Sequence, residues 1–136
     1  MDDAIARYQA ATEAGDVDGI MATLTPDVAV ISPLSGRMVF RGEDDVRILM
    51  AAVYGTLKGL RWTRTTSDGR HCVALGEARV GPLRMTDAMV IELADDGRIR
   101  SFSPHLRPWL PVTLFALILG PKVARHPGVV KRALAG

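Results

Sequence analysis

A carboxylate set among apolar residues at a spacing of two is the most chemically suggestive feature of this chain. Asp87 belongs to the series Leu83, Met85, Asp87, Met89, Ile91 and Leu93, which alternates with Arg84, Thr86, Ala88, Val90 and Glu92. That alternation is a strand with one inward face. An acid on such a face loses hydration, its charged form is disfavoured, and its pKa rises. It can then serve as a general acid or base. It can equally be a structural ion-pair partner of Arg79 or Arg84, or a hydrogen-bonded group at a rim. His105 and Arg107, in the run Ser103-Pro104-His105-Leu106-Arg107, add a proton exchanger for neutral pH and a cation suited to a carboxylate or enolate. They share a side only if a strand continues past Pro104, and a surface histidine bonded to backbone or water is the plainer alternative. Tyr8 and Trp62 each join an apolar body to one polar handle, as pocket walls, donors or simple core. Met85 and Met89 give the same inner face an adaptable lining, or ordinary filling.

Other chemistries lack their residues. The three histidines, His71, His105 and His126, are too dispersed for a metal motif, and His71 and His126 read as surface residues. The single cysteine, Cys72, rules out an intrachain disulfide or a cysteine-based zinc cluster. There is no Gly-rich phosphate loop after a strand and no GxSxG elbow, so nucleotide binding and covalent catalysis lack support and no cofactor is expected. The aromatics are scattered and the basic residues adjoin aliphatic sequence rather than stacking platforms, which argues against nucleic acid.

Positioning these groups requires one domain, which 136 residues allow. Asp2 and Asp3 favour a helix start, Ile5, Tyr8 and Thr12 follow at helical spacing, and Gly15 ends the helix. Asp16 caps a second helix with Val17, Ile20, Met21 and Leu24, broken at Thr25-Pro26. Val28–Ser32 and Met38–Phe40 read as a strand pair joined through a turn at residues 33–36. From Glu43 an acidic first turn leads a helix with the stripe Val46, Leu49, Met50, Val53 and Leu57, closed by Gly59. From Leu60 to about Ser103, turns at Asp68-Gly69, Gly81-Pro82 and Asp96-Gly97 divide a four-stranded antiparallel meander. The whole is an α+β domain with helices on one face of a sheet.

That order of elements resembles the superfamily of nuclear transport factor 2, scytalone dehydratase, ketosteroid isomerase and SnoaL-like polyketide cyclases. The resemblance rests on ARYQAATEAGDVDGIMATLTPDVAV at Ala6–Val30, FRGEDDVRILM at Phe40–Met50 and MVIELADDGRIRSF at Met89–Phe102. It implies a cone-shaped curved antiparallel sheet around an apolar pocket, and often a homodimer. It also implies a site for a small oxygen-bearing hydrophobic metabolite, worked without a cofactor by acid/base isomerisation, cyclisation or hydrolysis. Ketosteroid isomerase, a worked case of pKa tuning, uses an aspartate base with a tyrosine and a protonated aspartate as donors. Tyr8 falls at the donor tyrosine. Ser32, before Pro33, stands where the base is expected and cannot be a carboxylate, so it is retained as a ligand contact. Met89 stands at the second donor. The expected site is therefore Asp87, Tyr8 and His105 for catalysis, with Trp62, Met85, Met89, Ser32 and Arg107 as ligand contacts. An epoxide hydrolase needs an interior Asp-Arg-Asp set, of which one acid is visible. The alternative class is a non-catalytic binding or interaction module whose cone is filled by its own side chains.

The net charge of +2 conceals a division. Residues 1–96 carry all 15 acids against 10 Lys/Arg, whereas residues 97–136 carry seven Lys/Arg and no acid. Residues 1–106 hold the resemblance, and residues 107–136 form an apolar and basic helical extension of the same domain. Its longest apolar run, Leu110–Leu119, is about half of the ~20 residues a spanning helix needs. It is expected to pack on the domain or a twin subunit, or to touch an anionic membrane peripherally. The opening Met1-Asp2-Asp3 lacks the positive start of a secretory signal, and a cytoplasmic location is the expectation.

Overall fold

The computed structural model of the chain describes residues 3–135. The helix-starting role expected of Asp2 and of the Asp3 side chain lies outside what is described. The helical hairpin forms as α1 (Asp3–Ala14) and α2 (Val17–Met21). Gly15 joins them at φ 70°, a left-handed backbone that costs glycine nothing because it has no Cβ. Asp16 caps α2 by accepting the Gly19 N–H. The second helix ends three residues before the Leu24 of its expected stripe, and Leu24 instead opens β1 (Leu24–Ile31). Pairing overrides the local pattern here: the Ile99 N–H donates to the Thr23 carbonyl at 2.9 Å, and Leu24 stands opposite Ile99. Pro26, expected to break the chain, sits inside the strand where its register shifts between Leu24 and Ala29, so its missing N–H interrupts no continuous ladder.

β2 (Val39–Arg41) pairs antiparallel with β1, and α3 (Glu43–Thr56) buries Val46, Leu49 and Met50 behind an acidic first turn. The meander follows as β3 (Lys58–Asp68), β4 (His71–Val80), β5 (Leu83–Leu93) and β6 (Ile99–Ser103), each antiparallel to the next. The sheet is curved and unclosed, in the order β2-β1-β6-β5-β4-β3. It is mixed rather than wholly antiparallel, because β6 lies parallel to β1. The meander enters at the far edge, and its three reversals return β6 beside β1 in the same direction.

Two features exceed the sequence expectation. A short β7 (Leu106–Arg107) pairs with β5 beyond the end of β6. The extension then forms two helices, α4 (Trp109–Ala124) and α5 (Pro127–Ala135), rather than one. Pro127 suits a helix start, where its missing N–H would lack an intrahelical partner anyway. α4 packs on α3, β4, β5 and β7, and α5 packs on α4 and β2. Two polar clasps bind the extension to α3. Arg132 donates from Nε and Nη2 to both Asp45 oxygens at 2.8 and 2.9 Å, and Lys122 Nζ donates to Thr56 Oγ1 at 2.7 Å. No described helix is long and apolar enough to cross a membrane.

Candidate functional site

The inner face of the sheet, together with α1, α3 and α4, lines a largely apolar, partly open cavity of about 330 Å³. This is the low end of the ~300–1,000 Å³ common for ligand sites. Strand register builds one wall of it. Trp62 on β3 faces Gly76 on β4, Gly76 faces Asp87 on β5, and Asp87 faces Leu106 on β7; all four line the cavity. Gly76 makes room for its neighbour, since a Cβ there would lie 2.9 Å from Trp62 Cε3. The indole is fixed by Nε1 donating to Thr12 Oγ1 and by the Trp62 backbone N–H donating to Glu13 Oε2, both at 2.9 Å. With that handle engaged, Trp62 offers the cavity an apolar ring.

Tyr8, fully buried on α1, lies against Phe102 and Trp62 with ring centroids 4.9 and 6.1 Å away. Its hydroxyl is 2.8 Å from that of Tyr54 on α3. Two hydroxyls carry two protons; one spans the pair, and the other remains for a ligand oxygen or a nearby acceptor. Burial, the Tyr54 hydroxyl and the Asp87 charge push Tyr8 well above its ordinary pKa. Burial also pushes Tyr54 up, opposed by the bond to Tyr8 and assisted by Asp87. Both phenols therefore stay protonated as donors. Sequence reasoning missed Tyr54, although it follows Met50 by four residues and so lies beside it on α3. Val53 and Leu57 completed the apolar stripe without it.

Asp87 is partly buried, and burial pushes its carboxyl up to about 7, against the lowering influence of the His105 backbone N–H and the His105 ring. That N–H donates to Oδ1 at 3.2 Å. Neither arginine considered as its partner serves: Arg79 and Arg84 face each other across β4 and β5, and among the described residues no ion pair reaches Asp87. A carboxyl with its threshold near neutrality, on an apolar wall, can take or give a proton. Met85, Met89 and Ser32 line the same cavity. No group of described His, Cys, Asp or Glu residues is arranged to hold a metal.

This constellation sits on a sequence that the SnoaL-like domain family matches over residues 5–102. The chain belongs to the SnoaL-like family. Among solved structures, the SnoaL-like chain is similar to an uncharacterised protein with a cystatin-like fold from Silicibacter pomeroyi, at 24% identity and TM-score 0.89, covering 98% of this chain and 95% of that one. It is similar to a steroid delta-isomerase from Pseudomonas aeruginosa at 24% identity and TM-score 0.81, covering 92% of each chain. An epoxide hydrolase/cyclase-like enzyme, SalBIII, acting in pyran ring formation in the polyether salinomycin, aligns at 19% identity and TM-score 0.66, covering 77% of this chain and 88% of that one. Comparison with curated proteins gives no match. These likenesses establish a nuclear transport factor 2-like fold.

The remaining site expectations fare differently on this SnoaL-like scaffold. His105 and Arg107 do not line the cavity; both are exposed, and Leu106 between them is the residue that lines it. His105 contributes its backbone N–H to Asp87, while its ring Nδ1 lies 3.2 Å from the Ala88 carbonyl. Ser32 Oγ accepts the Leu34 and Ser35 N–H groups at 3.1 and 3.2 Å, so it organises the turn beside the cavity. The extension, outside the family match, supplies part of the cavity wall: Phe115, Leu119 and Val123 of α4 line it. It is also not peculiar to this chain, because 98% coverage by the S. pomeroyi structure gives most of it a counterpart.

Proposed function

We infer that this SnoaL-like protein binds a small apolar molecule carrying a carbonyl or enol oxygen and moves a proton on it. The observation that carries this reading is a carboxyl with a threshold of about 7 sharing an apolar cavity with two protonated, hydrogen-bonded phenols. Ionised Asp87 removes a proton from carbon next to the carbonyl. Negative charge then develops on the oxygen, where the remaining proton of the Tyr8–Tyr54 pair donates a hydrogen bond. Asp87 returns its proton to another carbon, or to the same one. The apolar walls keep water from competing for the charge. The steroid delta-isomerase and cyclase-like relatives support this class of chemistry by analogy of fold, which does not by itself transfer a reaction.

The test is deuterium uptake by a small cyclic ketone in heavy water, followed by NMR. The protein should accelerate exchange at the carbon next to the carbonyl, with a pH profile rising through about 7. Asp87→Asn should abolish the acceleration, and Tyr8→Phe should reduce it by roughly 10²-fold or more, the usual cost of losing an oxyanion donor. Acceleration that survives Asp87→Asn removes the base from this reading.

A further inference from the structure

α4 presents a surface that the domain itself does not answer. From Trp109 to Pro121 it has no charged residue. A helix apolar on all sides is normally enclosed. Here the buried stripe is Pro111, Phe115, Leu119 and Val123, whereas Trp109, Leu117 and Leu110 are 76%, 68% and 52% exposed. Its 16 residues extend only ~24 Å, and its inner stripe is committed to the cavity wall, so it cannot enter a bilayer lengthwise. Exposed cations flank this uncharged run in the chain. Arg107 stands just before the helix, Arg125 caps its end and Lys131 follows on α5, all exposed, in a segment from residue 97 onward that has no acid.

We propose that the outer face of α4 docks on an anionic lipid bilayer and lies in its interfacial plane. Leu110 and Leu117 enter the boundary of the acyl chains, Trp109 sits among the headgroups, and Arg107, Arg125 and Lys131 answer lipid phosphates. Charge selects this occupant over a second copy of the chain. Two-fold pairing would set the same patch against itself, bringing cations onto cations with no acid in the segment to offset them. The proposal stands apart from the proton-transfer reading, because its residues do not line the cavity.

Flotation of the full chain with vesicles of phosphatidylcholine, alone or mixed in equal parts with phosphatidylglycerol, tests it. Binding should require the mixed vesicles, weaken with added salt and shift tryptophan emission to the blue. Trp109→Ser with Leu117→Gln should lower partitioning at least tenfold, and Arg107→Gln or Arg125→Gln should each lower it about fivefold, from ~1 kcal/mol per interfacial charge. These positions are exposed, and unchanged melting of the arginine variants keeps the test interpretable if the double variant folds poorly. Failure to float with mixed vesicles overturns the proposal. So does equal binding to both vesicle types, or binding indifferent to all these substitutions. A dimer in light scattering that the double variant splits, without vesicle binding, would assign the face to a second copy instead.

Discussion

Replacing Asp87 with Asn should stabilise the protein in mild alkali while leaving it nearly unchanged in acid. The folded carboxyl has a pKa of about 7, against 3.8 for an unburied one. Between those values the folded chain holds a proton that the unfolded chain releases, so this group lowers stability as pH rises, and the penalty is complete above the folded pKa. A gap of about 3 units at ~1.36 kcal/mol each gives at most roughly 4 kcal/mol at pH 8. Partial exposure admits some water and brings the expected gain to about 2–4 kcal/mol. Asn keeps an oxygen to accept the His105 N–H, so the change removes charge without stranding that donor. Urea denaturation of both proteins at pH 4, 6 and 8 measures the difference directly. It should grow from near zero to its maximum across that range, and the variant should lose proton exchange on the ketone as it gains stability, a trade common at functional sites. A difference that stays constant with pH would refute the raised pKa and the acid/base role resting on it.

Removing one phenol should expose the cost of the buried pair. Tyr54→Phe should lower stability by about 1–3 kcal/mol by leaving the enclosed Tyr8 hydroxyl without its partner, and a double-mutant cycle with Tyr8→Phe should give a non-zero coupling. Gly76→Ala should displace the Trp62 ring at a cost of about 1–3 kcal/mol, read as a change in tryptophan fluorescence and in the sizes of ketone bound. Arg132→Ala should lower the melting temperature at pH 7 by releasing α5 from α3. Because Arg132 holds the Asp45 carboxyl below 3.8, that contribution is present above this value and lost as pH falls beneath it, so the two proteins should converge in strong acid.

The elements that carry the site were largely legible because periodicity and turn residues act locally. Alternation placed Asp87 beside Met85 and Met89 on the inner wall, and the Asp68-Gly69 and Gly81-Pro82 turns delivered the neighbouring strands. What escaped depends on distant partners. Leu24 completes a helical pattern yet joins Ile99 across the sheet. Tyr54 gains its role only when α3 meets Tyr8, 46 positions away. His105 and Arg107 look like catalytic groups by type, but both side chains are exposed, and of the two only the His105 backbone N–H hydrogen-bonds to Asp87. The apolar run after Leu110 carries no sign of which face meets the cavity, because every face is apolar.

The irregular pairing of β3 has a bearing on solubility. β3 is the long outer strand of the sheet, met in part by α1, and an extended edge can template the addition of another chain. Its ladder with β4 slips twice, between Lys58 and Arg61 and again between Trp62 and Arg64. Such slips bend and twist a strand, and the exposed Lys58, Arg61 and Arg64 add charge along it. The opposite edge, β2, has only three residues and is packed by α5. The distortion that flanks Trp62 at the cavity thus also spoils the one edge long enough to seed aggregation, so straightening β3 by design would trade a rearranged pocket for a stickier protein.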